Sequence, residues 1–515
     1  MMRRRPDGRT ARRPCGWALL LLAVWPSARP AAQTIDTIVV ENANVFDRAG
    51  DGPGFIARLA NALHIRTRAS VIRRSLLVAP GQLYDSARAA ESERALRALG
   101  VFRSVRVDTA RLGATGPLAL RVVTADGWSS KPQANYSTAG GDETWEIGFV
   151  EENFLGTASE LGVSYGRTPD RRRLDFQYLN PLFFVPRATL LLRYGDLSDG
   201  RRGAWQVGVP FYQTSAPRAL VTYGEWAREH VLMFSGGTLD SIMQRRALRV
   251  GVTGGVAVRA TSRDYLRLWF GAEWRREDFA RDDSTTLPPI PFPRSTFVAG
   301  RGGLEIRHVR FRVLEHFNSY ARREDVDVSQ TLRLGAVVES GVGYEARGQV
   351  STVWRGGFAL LYGEATGLDS TRVGGRLTIV SQNLPRQTLI AHAEAGALHK
   401  PKPGAEFDLW FDQRGPRLFP AHAFTGTRMA WLAFEDRILV ADDLWGMVGL
   451  GLAPFVDYGG AWYADDPARL GGDAGVALRF GPTRAVRGDA GELAVGYRFG
   501  SGTGWAIAVR RGFRF

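Results

Sequence analysis

The chain has 515 residues, with 67 Lys and Arg against 52 Asp and Glu for a formal charge of +15 at pH 7, 60 glycines, 14 tryptophans and one cysteine. The lone Cys15 excludes disulfides and thiolate metal centres. Beyond residue 32 no run of about 18 apolar residues occurs, which excludes a membrane-spanning helix, while the glycine and tryptophan content suits curved strands with aromatic girdles.

Arg3, Arg4, Arg5, Arg9, Arg12 and Arg13 precede the apolar run Gly16 to Trp25, and a stretch rich in small residues follows from Ser27 to Ala32. Residues 1–32 therefore read as a secretory signal peptide, with the mature chain expected to start near Gln33. This leader holds seven Arg and one Asp, so its loss takes the charge from +15 to 15 − 6 = +9. In an exported chain that modest excess points to pore-lining arginines and anionic lipid head groups, not to nucleic acid.

Residues 34–126 read as a small soluble α+β domain of order β-α-α-β-β. Ile35, Ile38 and Val40 mark a first strand, followed by an insertion from Asn44 to Thr67. A short helix is predicted from Ser70 to Leu77, with Val71 or Ile72, Leu76 and Leu77 inward and Pro80-Gly81 as its stop. Asp85 is placed to N-cap a second helix, Ser86 to Leu99, whose core stripe is Ala90, Leu96 and Leu99 and whose Arg88, Glu91, Arg94 and Arg97 face solvent. Gly100 closes it, and Phe102 to Val107 and Leu118 to Val123 alternate as two strands.

From Lys131 to Phe515 the chain alternates with a period of two. Trp145, Ile147 and Phe149 oppose Glu146 and Gly148; Leu161, Val163 and Tyr165 oppose Gly162 and Ser164; Leu493, Val495, Tyr497 and Phe499 repeat the parity. Large apolar side chains on one face and Gly, Ser or charge on the other describe an antiparallel transmembrane β-barrel. A soluble β-sandwich also alternates, but a segment this long would need several domains joined by linkers, and none is visible. At about 10 residues per strand, plus turns and longer outer loops, the length suits about 16 strands, whereas a count of alternating segments comes nearer to about 18 or 19. Trp505 to Phe515 alternates to a terminal aromatic carboxylate, an apolar edge that makes sense only when closed against another strand in lipid.

Enzyme motifs are scarce. Gly162-Val163-Ser164-Tyr165-Gly166 matches G-x-S-x-G but falls inside an alternating strand, where no nucleophile elbow can form. The seven histidines show no metal-ligand spacing, and no phosphate-binding glycine loop precedes a helix. No enzymatic activity, cofactor or metal is expected.

The segment His399 to Thr427 is long, polar and rich in Gly and Pro, and Asp457 in a later strand falls on the inward parity of Gly449, Gly451 and Ala453. An inward carboxylate can hold an Arg of a loop folded into the lumen through a charge-assisted pair. The residue pattern leaves this plug and a plain surface loop both open.

The order of these features resembles the BamA/TamA outer-membrane assembly family, also called the bacterial surface antigen family. Val71-Ile72-Arg73, Pro80-Gly81-Gln82-Leu83-Tyr84-Asp85, Leu96-Arg97-Ala98-Leu99-Gly100 and Phe102-Arg103-Ser104-Val105 are similar to a POTRA domain. Glu152-Asn153-Phe154-Leu155-Gly156-Thr157 and Leu179-Asn180-Pro181-Leu182-Phe183-Phe184 resemble that family's first barrel hairpins. The resemblance favours the plug. It implies that Arg417-Leu418-Phe419 stands for the lumen motif R-G-F, with Arg417 paired to Asp457 and Phe419 packed in the lumen. Leu418 replaces the usual glycine, so the loop tip is expected to differ, and Arg414-Gly415 is a second candidate anchor.

The resemblance further implies a noncatalytic outer-membrane assembly or insertion factor. Its POTRA domain would lie in the periplasm and bind unfolded client polypeptides along a sheet edge, with accessory assembly proteins as further partners and outer-membrane lipids around the barrel. New strands would be templated at the seam between first and last strands, with Phe513 and Phe515 serving recognition and closure of the last strand. A charge swap between Arg417 and Asp457 is expected to restore part of what Arg417→Ala loses. The alternatives are a dedicated translocator of the two-partner-secretion type and a passive pore.

Overall fold

The computed structural model describes residues 33–511 apart from 47–54, 56–57, 59–60, 63, 112, 114–115, 185–186, 282–294, 321–322, 410–413 and 484–489. The expected signal peptide lies outside the described residues.

An N-terminal unit comprises β1 (Thr37–Ala43), α1 (Ala69–Ser75), α2 (Ser86–Ala98), β2 (Phe102–Arg111) and β3 (Leu118–Asp126). Its sheet runs β1-β3-β2, with β1 parallel and β2 antiparallel to β3. Asp85 starts α2 by accepting from the amides of Ala87 (2.8 Å) and Arg88 (3.4 Å), and Gly100 follows its end at φ +73°. Val71, Ile72, Leu76 and Leu96 pack on Leu120 and Val122 of the sheet, and the same core takes in Ala158 and Leu182 from two barrel turns. The unit thus completes its hydrophobic core with residues of the barrel.

Two expectations for α2 are corrected. The helix is rotated so that Ala89 is buried and Ala90 exposed. Its charged face is only partly left to solvent: Arg88 is exposed as expected, but buried Glu91 accepts from the Thr214 amide at 2.8 Å, Arg97 reaches Asp325 at 3.1 Å, and the Arg94 guanidinium lies 5.5 Å from the Phe311 ring. That face is turned toward the barrel's near loops, which supply the partners.

The remaining strands are β4 (Ser130–Ala139), β5 (Asp142–Phe154), β6 (Ser159–Arg167), β7 (Arg172–Asn180), β8 (Thr189–Leu197), β9 (Gly200–Val209), β10 (Arg218–Ser235), β11 (Thr238–Ala260), β12 (Asp264–Arg281), β13 (Ser295–His308), β14 (Phe311–Leu314), β15 (Glu324–Asp327), β16 (Gln330–Val338), β17 (Val342–Trp354), β18 (Gly357–Gly367), β19 (Thr371–Ser381), β20 (Gln387–His399), β21 (Phe407–Asp408), β22 (Thr425–Gly426), β23 (Arg428–Leu444), β24 (Val448–Trp462), β25 (Gly471–Pro482), β26 (Gly491–Gly500) and β27 (Gly504–Arg511). Without β14–β15 and β21–β22, which form two small hairpins, these strands close one antiparallel barrel of 20 strands. The expected number of about 16 is therefore wrong. It allowed for long outer loops, whereas two residues suffice at Gly140-Gly141, Ser198-Asp199 and Gly236-Gly237.

Alternation sorts the wall. Ile147, Phe149, Val163, Phe176, Leu248 and Val495 are among the exposed large apolar residues of the exterior. The interior carries ion pairs instead, among them Arg173–Glu146 (2.6 Å), Arg245–Glu277 (2.9 Å), Arg249–Glu273 (2.7 Å) and Arg333–Glu305 (3.0 Å). An apolar outer band around a charged interior is the arrangement a bilayer selects. Ser164 of the G-x-S-x-G match sits mid-strand in β6.

The barrel closes between its last strand and its first. Among the described residues β27 and β4 pair at one position, Val509 with Thr138, while β26 and β27 pair along eight positions and β4 and β5 along ten.

Because Leu182 belongs to the shared core, Leu182→Asp should cost about 3 kcal/mol or more at that contact. Limited proteolysis of the full chain should then release the N-terminal unit while the barrel stays intact; unchanged digestion would show that the shared core does not hold the unit.

Candidate functional site

Residues 400–409 and 414–427, between β20 and β23, fold into the barrel. They are held by the short β21–β22 ladder and by a cluster in which Phe407, Leu409, Phe419 and Phe424 pack against Met429 and Ala461 of the wall. Gly415 has φ +90°, and a Cβ there would fall 2.8 Å from Leu409 Cβ, so this turn requires glycine.

Arg417 is fully buried. Its Nε donates to Asp457 Oδ2 (2.5 Å), Nη2 to Asp457 Oδ1 (3.1 Å) and Nη1 to Glu435 Oε2 (2.9 Å), and its guanidinium lies 3.9 Å from the Phe455 ring centre. The structure thus brings Arg417 and Asp457 together in a bidentate pair, and adds a second carboxylate.

Around this pair lies a set of buried charges that the sequence reading missed. Arg437 donates to Glu435 (2.5 Å), while Arg479 (3.2 Å) and Arg510 (3.1 Å) both donate to Glu492, which is 3.7 Å from Arg417. Asp473, opposite Asp457 across the β24–β25 ladder, accepts from the Leu418 amide at 2.8 Å. Their only sequence signal is inward parity on β23 and on β25 to β27.

Leu418 follows a different logic from the glycine it replaces. It has no positive φ, and its side chain is enclosed by Phe455 and by five alanines, Ala139, Ala453, Ala477, Ala494 and Ala508, of the first strand and the last four. Small wall residues make room for a large loop residue. Phe419 lies 5.0 Å from Phe424, and a Cβ at Gly471 would meet both rings at 2.7 Å. Arg414, the second candidate anchor, pairs with Glu394 of β20 at 3.1 Å and is partly exposed. Phe513 and Phe515 lie outside the described residues.

The cluster is also met from the N-terminal-unit side of the barrel. The segment 309–329, which contains the β14–β15 hairpin, enters the lumen and packs Leu314, Phe317 and Val328 on Phe358, Val380 and Ile390 of the wall. The Phe317 carbonyl accepts from Arg437 Nη1 (2.6 Å) and Arg479 Nη2 (3.4 Å). Gly449 and Gly451 cradle Tyr320, whose hydroxyl would lie 2.6 Å from a Cβ at Gly451.

At the opposite end His422 closes the arrangement. Its ring stacks on Phe234 of β10 at 3.6 Å, and its nitrogens bond Asp408 (2.5 Å) and Asp170 (2.9 Å). The Phe234 carbonyl also accepts from Thr425 (2.8 Å) and Tyr463 (3.0 Å). A cavity of about 1030 Å³ remains beside this loop, lined in part by Arg245, Arg249, Glu277, Lys402 and Asp408. Among the described residues no three His, Cys, Asp or Glu come together to hold a metal ion.

No family model and no curated protein match the chain. Among solved structures it is similar to BamA from Haemophilus ducreyi lacking POTRA domains 1-3, at 12% identity over 92% of this chain and 84% of that one, TM-score 0.40. It is also similar to CdiB from Escherichia coli, at 13% identity over 93% and 76%, TM-score 0.46, and to CdiB from Acinetobacter baumannii, at 11% over 93% and 73%, TM-score 0.41. Identities and scores this low do not establish a family.

Arg417→Ala strands Asp457 and Glu435 and should cost about 3–5 kcal/mol, read as a lower urea midpoint for barrel unfolding. Adding Glu435→Gln should recover part of the loss. The expected rescue by swapping Arg417 and Asp457 is withdrawn, because an aspartate at 417 would face Glu435 and Glu492; a swap that restores the midpoint would show that those two carboxylates do not matter.

Burial alone would lower the pKa of His422, but its bonds to Asp170 and Asp408 outweigh this and raise it from 6.5 to about 9. A raised folded pKa means that the stabilisation is complete below about pH 6.5 and fades as pH rises through about 9. Hydrogen exchange of residues 420–426, corrected for its intrinsic pH dependence, should therefore accelerate between pH 7 and 10 in the wild type and much less in His422→Gln.

Proposed function

We propose that this chain is an outer-membrane assembly factor of BamA/TamA type, which inserts barrel strands without catalysis, its N-terminal unit acting as a periplasmic POTRA domain. The observation that carries this reading is the seam. Among the described residues β27 and β4 share one paired position, against eight between β26 and β27, and a seam of that kind can open so that an incoming strand adds there through main-chain hydrogen bonds.

Two further features support it. Among the described residues β1 and β2 each pair only with β3, so the small sheet offers two edges on which an extended client can dock. The loop 400–427 and the segment 309–329 occupy the lumen from its two ends and meet at one cluster, which disfavours a passive pore. A second reading, passage of one secreted polypeptide through the lumen, is favoured by the charged cavity of about 1030 Å³ beside the loop. Accessory assembly proteins are further partners of the first reading.

A reversible staple separates the two. Thr138→Cys with Val509→Cys joins the seam at its paired position, in a chain whose only native cysteine is Cys15. In vesicles, the oxidised protein should lose insertion of unfolded client barrels and regain it on reduction. Full activity of the oxidised protein would sink the seam mechanism; passage of a secreted polypeptide by the stapled protein would favour the translocator.

A further inference from the structure

The strap 64–68, where the N-terminal unit meets the barrel, has a pinned backbone, buried side chains at His64 and Thr67, and outward Ile65, Arg66 and Arg68. Asp126 holds His64 Nε2 (2.9 Å) and the Thr67 amide (2.7 Å), and Asn153 donates to the Ile65 carbonyl (2.9 Å) and to Thr67 Oγ1 (3.0 Å). The Arg68 amide donates to the Gly156 carbonyl at 3.0 Å. A Cβ at Gly156, where φ is +71°, would fall 2.7 Å from the Arg66 carbonyl, so the strap and the β5–β6 turn are in direct contact. Projecting from this contact are Ile65 and Leu155, 53% and 52% exposed, and the exposed Arg66 and Arg68.

Arg73 and Arg74 on the following helix are exposed as well, opposite its buried Val71 and Ile72. None of these four arginines meets a carboxylate among the described residues. Four other arginines of the unit are paired: Arg88 with Asp85, Arg97 with Glu93 and Asp325, Arg106 with Asp108, Arg121 with Glu41. Arg66 and Arg68 sit at the contact with the β5–β6 turn, and Arg73 and Arg74 follow on the next helix. Leu161, the nearest lipid-facing residue of β6, lies three residues beyond the turn, which at about 3.3 Å per residue puts the turn that touches the strap within about 10 Å of the apolar band.

We propose that this patch binds anionic phospholipid in the leaflet on the N-terminal side, with Ile65 and Leu155 among the acyl chains and Arg66, Arg68, Arg73 and Arg74 on the phosphodiesters. Unpaired guanidinium groups beside exposed apolar side chains at the edge of a lipid-facing wall match the two halves of such a lipid. The inference rests on the barrel being embedded in a bilayer. It gives the N-terminal unit a second attachment, to the membrane surface, besides its core contact with the barrel.

The test uses the full chain reconstituted in vesicles of equimolar phosphatidylcholine and phosphatidylglycerol. Native mass spectrometry of the released protein should show phosphatidylglycerol retained over phosphatidylcholine by about tenfold, a preference that falls with salt. Replacing all four arginines by glutamine should bring retention to parity while the heat-dependent gel shift of the folded barrel stays unchanged. Equal retention by wild type and variant would overturn the inference. So would a polarity-sensitive dye on Ser70→Cys that responds to added polyglutamate but not to phosphatidylglycerol, which would make the patch a protein-docking surface. Failure to enter vesicles of either lipid would overturn the barrel reading and this inference together, whereas entry without lipid preference overturns this inference alone.

Discussion

A guanidinium with no solvent exposure needs fixed partners, because a buried charge left alone costs several kcal/mol. Arg417 is such a group, and the surrounding wall is built for it. β23 supplies Glu435, β24 Asp457, β25 Asp473 and Arg479, β26 Glu492 and β27 Arg510. With Arg437, the cluster sets four guanidinium groups against four carboxyl groups, and one of the four cations arrives on a loop. Withdrawing that loop would strand Asp457 and Glu435 in the wall without the guanidinium that bridges them. The loop is therefore a structural member of the wall as well as an occupant of the lumen.

This bears on how the last strand is held. Among the described residues β27 has one backbone pairing with β4, and its Arg510 is buried on Glu492, which also lies near Arg417. Leu418 adds an apolar contact that includes Ala139 of β4 and Ala508 of β27. First and last strands are thus bridged from inside by the loop, in addition to their backbone pairing. A ladder hydrogen bond contributes about 1 kcal/mol net, so a buried charge pair and a filled apolar contact are each of a size to match one or more such bonds.

The barrel was legible because lipid outside and charge inside impose a period of two on nearly every strand, as in Trp145-Ile147-Phe149. The strand number was not, since it depends on turn lengths that alternation does not report, and glycine pairs such as Gly140-Gly141 turn the chain in two residues. Arg417 and Asp457 could be singled out only because the chain resembles a family with such a pair; nothing local distinguishes Asp457 from other inward carboxylates. Glu435, Asp473, Glu492 and Arg510 escaped notice for a related reason. They meet through register across four ladders, and register is a property of the closed sheet. The face of α2 was misread because a charged stripe looks alike whether it meets water or the loops of a neighbouring unit.

The same misreading hides the longest connection in the molecule. Arg97 of α2 holds Asp325 of β15; the segment carrying β15 inserts Phe317, whose carbonyl accepts from Arg437 and Arg479; these hold Glu435 and Glu492, which surround Arg417. Contact alone does not make such a chain a signal path, because coupling requires an element with two discrete arrangements that both ends bias. The geometry supplies one constraint on what those arrangements could be. Drawing segment 309–329 out of the barrel would remove the one carbonyl shared by Arg437 and Arg479 and vacate the glycine cradle of Tyr320, so a buried donor set and an apolar contact would be lost in a single movement. A loss of that kind is abrupt, which makes the segment's position a choice between seated and withdrawn, with little in between.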